Sequence, residues 1–220
     1  MEALLHQSIN LYAAVLLLVS FAMISQRRIL SLVHLYTLQG ATLVLATVTV
    51  GYLTHQDHLL VSAVLTLVLK VAVIPRLLHL VIERLDVRWD VEPLINIPTT
   101  MLIGIVLVVF AFNLALPISK LSASVARSTL GIALACVLLS FMMMIVRAKA
   151  IPQVIGFLAM ENGLFFAATA ATNGMPMIVE LGIGLDVLVG ALILGVFMFQ
   201  IREQFDSLEL RHVERLREED

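Results

Sequence analysis

Long apolar stretches alternate along the chain with short polar breaks. Each stretch is close to the roughly 20 residues that an α-helix needs to cross the hydrocarbon core of a bilayer. The breaks carry charge, proline, glycine or asparagine, as at Arg27-Arg28, at Pro117 and at Asn173-Gly174. The pattern predicts about seven transmembrane helices, over residues 7–25, 30–53, 59–82, 99–117, 125–146, 151–172 and 176–201.

The composition is typical of a chain that lies mostly in lipid. Hydrophobic residues make up 60% of the 220 residues and charged residues 14%, against roughly 25% charged residues in a soluble domain. Lipid cannot satisfy the open edge of a sheet, so the spans are expected to be helices. We therefore predict an all-α integral membrane protein with a transmembrane domain over residues 1–201. The first apolar run lacks a basic segment before it and is expected to be a retained span, not a cleaved signal peptide.

The positions of arginine and lysine predict the orientation, because basic residues concentrate on the cytoplasmic side. With seven spans, this places the N-terminus outside and the C-terminus in the cytoplasm of a bacterial or archaeal inner membrane. Residues 202–220 mix charged and apolar residues and are expected to form a cytoplasmic amphipathic tail, or else a solvated end. One side holds Arg27, Arg28, Arg84, Arg88, Arg147, Lys149 and the tail arginines, and the other holds Lys120 and Arg127.

Charged residues inside the apolar spans point to function. A charge at the bilayer centre costs at least about 2.5–3.5 kcal/mol on insertion scales, so such residues are rare and are usually functional. Lys70, Glu161 and Asp186 lie near the middle of spans, and Glu180 lies about two turns inside the end of its span. Lysine and carboxyl groups at this depth can store or exchange a proton. The four residues are candidates for proton transfer, with hydrogen bonds that only join helices as the alternative.

A polar stripe leads along the third span towards Lys70. His58, Ser62 and Thr66 precede Lys70 at intervals of four residues, which places all four on one face of the helix. The stripe could form an access path for protons. Alternatively, Ser62 and Thr66 only bond to carbonyl groups of their own helix.

The remaining polar residues offer little chemistry. His34 and His79 lie near the cytoplasmic ends of the second and third spans and could relay protons, since histidine titrates near neutral pH. Gln39 and Asn113 are expected to form hydrogen bonds between helices. The sequence has one cysteine and no nucleotide-binding loop or catalytic triad motif, so we expect no catalytic residue, cofactor or metal in this chain. The net charge of −2 argues against a nucleic-acid partner.

A weak internal repeat relates residues 28–40 to residues 150–162. It makes Gln39 equivalent to Glu161, and with a shorter connection in the second copy it makes Lys70 equivalent to Asp186. Repeats of this kind are common in membrane transport proteins. A chance similarity between apolar helices is the alternative.

The sequence around the buried charges resembles one family. Residues 158–163 (LAMENG), 179–186 (VELGIGLD) and 69–71 (LKV) are similar to the hydrogenase-4 component E (HyfE) family, and the likeness covers most of the chain in length, hydropathy and motif order. Residues 125–201 also resemble the NuoK subunit of respiratory complex I and the related MrpC antiporter subunit, although four extra spans precede them here. NuoK-type subunits carry two membrane-embedded glutamates in a lateral proton path. The resemblance matches the first to Glu161, and the second to Asp186 by depth or to Glu180 by local sequence.

The resemblance implies a membrane-arm subunit of a group 4 nickel–iron hydrogenase complex, of the formate hydrogenlyase or hydrogenase-4 type. Its expected partners are antiporter-like membrane subunits and the membrane-anchor subunit of the hydrogenase. The nickel–iron and iron–sulfur centres would lie in partner subunits, and this non-catalytic chain would contribute to proton translocation. The alternatives are a subunit of a Mrp-type cation/proton antiporter and a scaffold whose buried charges only lock helices together.

Overall fold

The regular elements of the computed structural model are helices. The structure describes residues 2–54, 57–84, 94–119, 124–172, 182, 185–190 and 193. Residues 185–190 are helical as well. In chain order the other elements are α1 (Glu2–Ser25), α2 (Ile29–Thr54), α3 (Asp57–Thr66), a π-helical segment (Leu67–Val73), α4 (Ile74–Arg84), α5 (Ile97–Ser119), α6 (Ser124–Val146) and α7 (Ala150–Thr172).

Six stretches within the described residues are long and apolar enough to cross a membrane. They confirm the first six predicted spans, with ends that differ by a few residues. The chain is therefore an all-helical protein of the multi-pass membrane type. The seventh predicted span, 176–201, lies mostly outside the described residues, and the predicted tail, 202–220, lies wholly outside them. The six stretches are Gln7–Ser25, Ile29–Thr54, Leu59–Glu83, Ile97–Pro117, Thr129–Val146 and Ala150–Thr169.

Apart from α4, the α-helices are apolar on nearly all sides, so contacts between them decide which side chains are buried. α2 contacts α1, α3, α7 and the π segment, while α6 contacts α1, α5 and α7. One buried apolar cluster includes Tyr36 and Leu158, and a second includes Leu43 and Phe166. α2, α6 and α7 are the most extensively buried spans and α5 is the least buried.

The third span is not a continuous α-helix. From Leu67 to Val73 the backbone forms a π-helix, and the N–H of Ile74 donates to the carbonyl of Leu69 five residues earlier. π-helical turns are rare and often occur at functional sites. The predicted span over residues 59–82 gave no sign of this π-helical segment, because an apolar run does not distinguish α from π geometry. Lys70 lies in the middle of the π segment and is buried.

Gly40 lets α2 approach the π segment closely. A Cβ atom at position 40 would lie 3.3 Å from the Cβ and 3.5 Å from the carbonyl oxygen of Lys70. Glycine in a helix interior costs about 0.5–1 kcal/mol relative to alanine. The close approach accounts for a residue that the helix alone would not favour.

Replacing Gly40 with valine is expected to lower the free energy of unfolding by about 1–3 kcal/mol, because the branched side chain would overpack against the backbone that carries Lys70. Gly190→Val is the matched control, since among the described residues nothing lies within 4 Å of a Cβ built at position 190. The measurement is thermal unfolding of both variants in detergent. An equal loss in the two variants would contradict this explanation of Gly40.

A buried arginine joins two helices at one end of the bundle. Arg147 directly follows α6 and is 1% exposed. Its Nη2 donates to the carbonyl oxygens of Ile24 at 2.9 Å, Gln26 at 2.6 Å and Met23 at 3.5 Å. Carbonyl groups at a helix C-terminus lack partners within the helix, so Arg147 caps α1. Burial lowers the pKa of the Arg147 guanidinium, although arginine stays charged in proteins.

Arg147→Met is expected to destabilise the fold by about 1.5–3 kcal/mol, the usual range for hydrogen bonds that involve a charged group. Arg27→Met is the control, because Arg27 lies at the same end of α1 and is exposed. Resistance to heat and to protease in membranes would be measured for both variants. If Arg27→Met were equally harmful, loss of positive charge rather than loss of the cap would be the cause.

Candidate functional site

Lys70, Glu161 and Asp186 meet inside the bundle and form a charged cluster. The Nζ of Lys70 lies 2.8 Å from Oε1 of Glu161 and 3.4 Å from Oδ1 of Asp186. The three side chains are 1%, 7% and 2% exposed, respectively. They come from the π segment, from α7 and from helical residues 185–190. Three of the four candidates for proton transfer are therefore neighbours in space.

The charges in this cluster do not balance when all three groups are ionised. One ammonium and two carboxylates give a net charge of −1, and removing an ion from water costs several kcal/mol even after relaxation. Burial therefore favours the neutral form, in which the two carboxyl groups hold one additional proton. Oε2 of Glu161 has no hydrogen-bond partner among the described residues. The cluster is thus suited to take up and release one proton.

A chain of hydrogen bonds leads from Lys70 across α7 and α2 to α1. The Nζ of Lys70 donates to Oδ1 of Asn162 at 2.8 Å, and Nδ2 of Asn162 donates to Oε1 of Gln39 at 3.2 Å. Nε2 of Gln39 donates to Oγ of Ser20 at 3.2 Å, and this hydroxyl donates to the carbonyl of Leu16 at 2.9 Å. We call Asn162, Gln39 and Ser20 the amide chain, and all three are buried.

The amide chain confirms the expected bond between helices for Gln39 but not for Asn113. The Nδ2 of Asn113 donates to the carbonyl of Val109 in its own helix, and the side chain is exposed. Asn162 and Ser20 were not singled out from the sequence. Neutral polar residues are common in apolar spans, so only their positions in space identify them.

The structure describes part of the polar stripe on the third span. Ser62 and Thr66 are buried, and the Ser62 hydroxyl has no hydrogen-bond partner among the residues that the structure describes. The side chain of His58 lies outside the described part. A role of the stripe as a proton path stays a prediction.

The other candidates lie apart from the charged cluster or beyond the described part of the chain. His34 is exposed. The Nε2 of His79 lies 3.3 Å from Oε1 of Glu83, and both of these side chains are exposed on α4. Glu180 lies outside the described residues, so Asp186 is the candidate for the second carboxylate that the structure places beside Lys70.

Tyr36 is a further residue of the site. It is fully buried on α2, the helix that also carries Gln39. Its hydroxyl has no hydrogen-bond partner within the described residues, whereas a buried tyrosine usually has one. A tyrosine in an apolar span gives no sequence signal, which is why only the structure identifies Tyr36.

A cavity of about 210 Å³ borders Glu161 on α7. Its other walls are apolar and come from α7 and from positions 182 and 185. A Cβ at Gly182 would lie 3.5 Å from Oε1 of Glu161, so a larger residue would crowd the carboxyl group. The ring of Phe165 lies beside the cluster, with its centroid 5.9 Å from the Nζ of Lys70. Glu161 thus borders both Lys70 and an open space.

Fold and site together define a multi-pass helical membrane protein with a buried, ion-paired charged cluster. No family model matches the sequence, and no solved structure matches it. The chain is 30% identical over 211 residues to the uncharacterized protein Rv0085 of Mycobacterium tuberculosis, and the match covers 96% of each chain. The chain therefore belongs to the family of that protein.

Proposed function

We propose that this chain is a membrane-arm subunit of a group 4 nickel–iron hydrogenase complex, of the formate hydrogenlyase or hydrogenase-4 type, and contributes to proton translocation. The observation that carries the proposal is the buried cluster of Lys70, Glu161 and Asp186. Ionisable groups inside spans are costly and are found mainly where protons or ions move. The resemblance of residues 158–163 and 179–186 to the hydrogenase-4 component E family supports the type of complex.

The cluster supports a simple proton step. An N–H bond of the Lys70 ammonium breaks and an O–H bond forms at Oε1 of Glu161, across 2.8 Å. The ion pair becomes a neutral amine and a neutral acid, so the net charge of the cluster does not change. Asp186 can exchange with the same ammonium after a small movement from 3.4 Å. The distance of 2.8 Å to Glu161 already suits proton transfer, and the distance of 3.4 Å to Asp186 suits it once the two groups move closer.

The proposal also includes the setting of the chain. Its partners would be antiporter-like membrane subunits and the membrane-anchor subunit of the hydrogenase, in the cell membrane of a bacterium or archaeon. The N-terminus would face outside and the C-terminus the cytoplasm. The nickel–iron and iron–sulfur centres would lie in partner subunits.

Purification in mild detergent through a C-terminal tag, followed by mass spectrometry, tests this assignment. Nickel–iron hydrogenase subunits and antiporter-like membrane subunits are expected to co-purify, and neither should appear from an untagged strain. Antiporter-type subunits without any hydrogenase subunit would favour a Mrp-type cation/proton antiporter. The hydrogenase assignment would then be abandoned.

The hydrogen-bond network also favours a second candidate function, that of a scaffold. Lys70 and the amide chain join α1, α2, α7 and the π segment, which would hold the helices together without any proton transfer. If removing the carboxylates reduced assembly of the complex but spared translocation by the complexes that do assemble, the scaffold would be the correct function.

A further inference from the structure

We infer that Asn162 and Gln39 are positioning residues that hold the Lys70 ammonium but carry no protons, so that Lys70 exchanges protons only through Glu161 and Asp186. The inference rests on the proposed role of the cluster in proton translocation. It specifies the route by which Lys70 exchanges protons. Protons do not pass on the side of Asn162, and they pass on the side of Glu161 and Asp186.

The direction of the hydrogen bonds follows from the chemistry of lysine. An ammonium has donors only, so Asn162 must present its oxygen to Lys70 and its NH₂ group to Gln39. Gln39 must then present its oxygen to Asn162 and its NH₂ group to Ser20, whose hydroxyl donates to the carbonyl of Leu16. Every link therefore points away from Lys70.

A chain of amides holds its protons instead of passing them on. Transfer along the chain would require Asn162 and Gln39 each to bind a proton on the amide oxygen and to release one from the amide nitrogen, and carboxamides do not titrate as carboxyl groups do. The chain also ends inside the protein, at a backbone carbonyl and close to the buried thiol of Cys136. Protons on this side of Lys70 have no onward route through the described residues.

The side of Lys70 that faces the carboxyl groups differs from the amide side both in its ability to bind protons and in its access to open space. Glu161 and Asp186 can be protonated, and Glu161 borders the cavity of about 210 Å³. A proton that binds at Oε1 of Glu161 can be presented to another acceptor when the carboxyl group rotates, and Oε2 has no hydrogen bond among the described residues that would oppose this rotation. Lys70 therefore has an amide that carries no protons on one side, and two carboxyl groups that can bind protons on the other.

Asn162 also determines where the ammonium sits. The ammonium of Lys70 donates to Asn162 at 2.8 Å and forms ion pairs with Glu161 at 2.8 Å and Asp186 at 3.4 Å. Asn162 and Glu161 are adjacent on α7, so together they hold the ammonium nearer to Glu161 than to Asp186. Glu161 is thus the first exchange partner and Asp186 the second.

Hydrogen–deuterium exchange at the Lys70 side chain tests the inference. The full chain has three lysines, Lys70, Lys120 and Lys149, so ¹⁵N-lysine labelling in lipid bilayers gives few signals, and Lys70→Arg assigns one of them. Glu161→Gln is expected to slow exchange at the Lys70 Nζ by about 100-fold, a typical contribution of one acid–base group. Asp186→Asn is expected to slow it less, because Asp186 is farther from the ammonium.

Gln39→Met is the decisive variant, because it breaks the amide chain and keeps the side-chain size. We expect the Lys70 ¹⁵N signal to move, since Asn162 loses its partner, but its exchange not to slow. Ser20→Ala breaks the next link with a smaller change and replaces Gln39→Met if that variant does not fold. Asn113→Leu, at an exposed asparagine outside the network, controls for the loss of a polar side chain from a span.

Slower exchange in Gln39→Met or Ser20→Ala would overturn the inference, as would unchanged exchange in Glu161→Gln. Failure of the proposed function gives a different result. The exchange pattern would then be as expected, but Glu161→Gln and Asp186→Asn would leave proton translocation by the complex intact.

Discussion

Glu161→Gln and Asp186→Asn, made separately, are expected to reduce proton translocation by the assembled complex by about 100-fold or more. Each amide keeps the shape of the acid that it replaces but cannot take a proton from Lys70. Each variant keeps one ammonium and one carboxylate, so the cluster stays neutral as in the protonated wild type and the bundle should still fold. The measurement is acidification, reported by a pH-sensitive dye, in membrane vesicles that contain the complex.

Glu83→Gln is the matched control for these two variants. Glu83 is a carboxylate on α4 that lies beside His79 and is 69% exposed, so its replacement is expected to leave translocation unchanged. Wild-type translocation in both cluster variants would exclude the charged cluster as a proton relay. A loss that was equally large in Glu83→Gln would indicate a general defect of assembly.

Lys70→Met is expected to cause the largest loss of stability, about 3–5 kcal/mol, because it leaves buried carboxylates without their cation. Adding Glu161→Gln and Asp186→Asn to Lys70→Met is expected to recover most of the lost stability, since neutral groups of similar size often replace a buried ion pair at little cost. Thermal unfolding of the single and the triple variant gives the comparison.

Lys149→Met provides the control, because Lys149 lies just before α7 and is partly exposed. Its replacement is expected to change the free energy of unfolding only slightly. A triple variant that was no more stable than Lys70→Met would contradict the electrostatic explanation. The loss would then come from the shape of the Lys70 side chain in the π segment.

The bilayer explains how much of the fold could be predicted. Its thickness requires apolar runs of a set length, so six spans could be located from the sequence. The π segment could not, because an apolar run does not distinguish α from π geometry, and the close approach of α2 to Lys70 at Gly40 is a tertiary contact that the sequence does not reveal. Most of the helices carry apolar residues on every side, which also conceals which of their faces are buried.

Two asparagines show the same limit at the site. Asn113 and Asn162 both lie within apolar spans, but Asn113 is exposed and bonds to its own helix, whereas Asn162 is buried against Lys70. Lys70, Glu161 and Asp186 could be selected from the sequence because burying a charge is costly wherever it occurs. These three residues meet because of the way the helices pack, and this packing cannot be predicted from an apolar sequence.

The capping of α1 by Arg147 has a consequence for biosynthesis. The guanidinium reaches carbonyl groups that precede it by up to 124 residues. At about 5–20 residues per second, the ribosome makes Arg147 roughly 6–25 s after the end of α1. During that interval the carbonyls of Ile24 and Gln26 lack this donor and can be satisfied by water or lipid head groups, whereas the carbonyl of Met23 accepts from the N–H of Gln26. The first helix of the chain therefore enters the membrane early but is locked in place late, after α6 has been inserted.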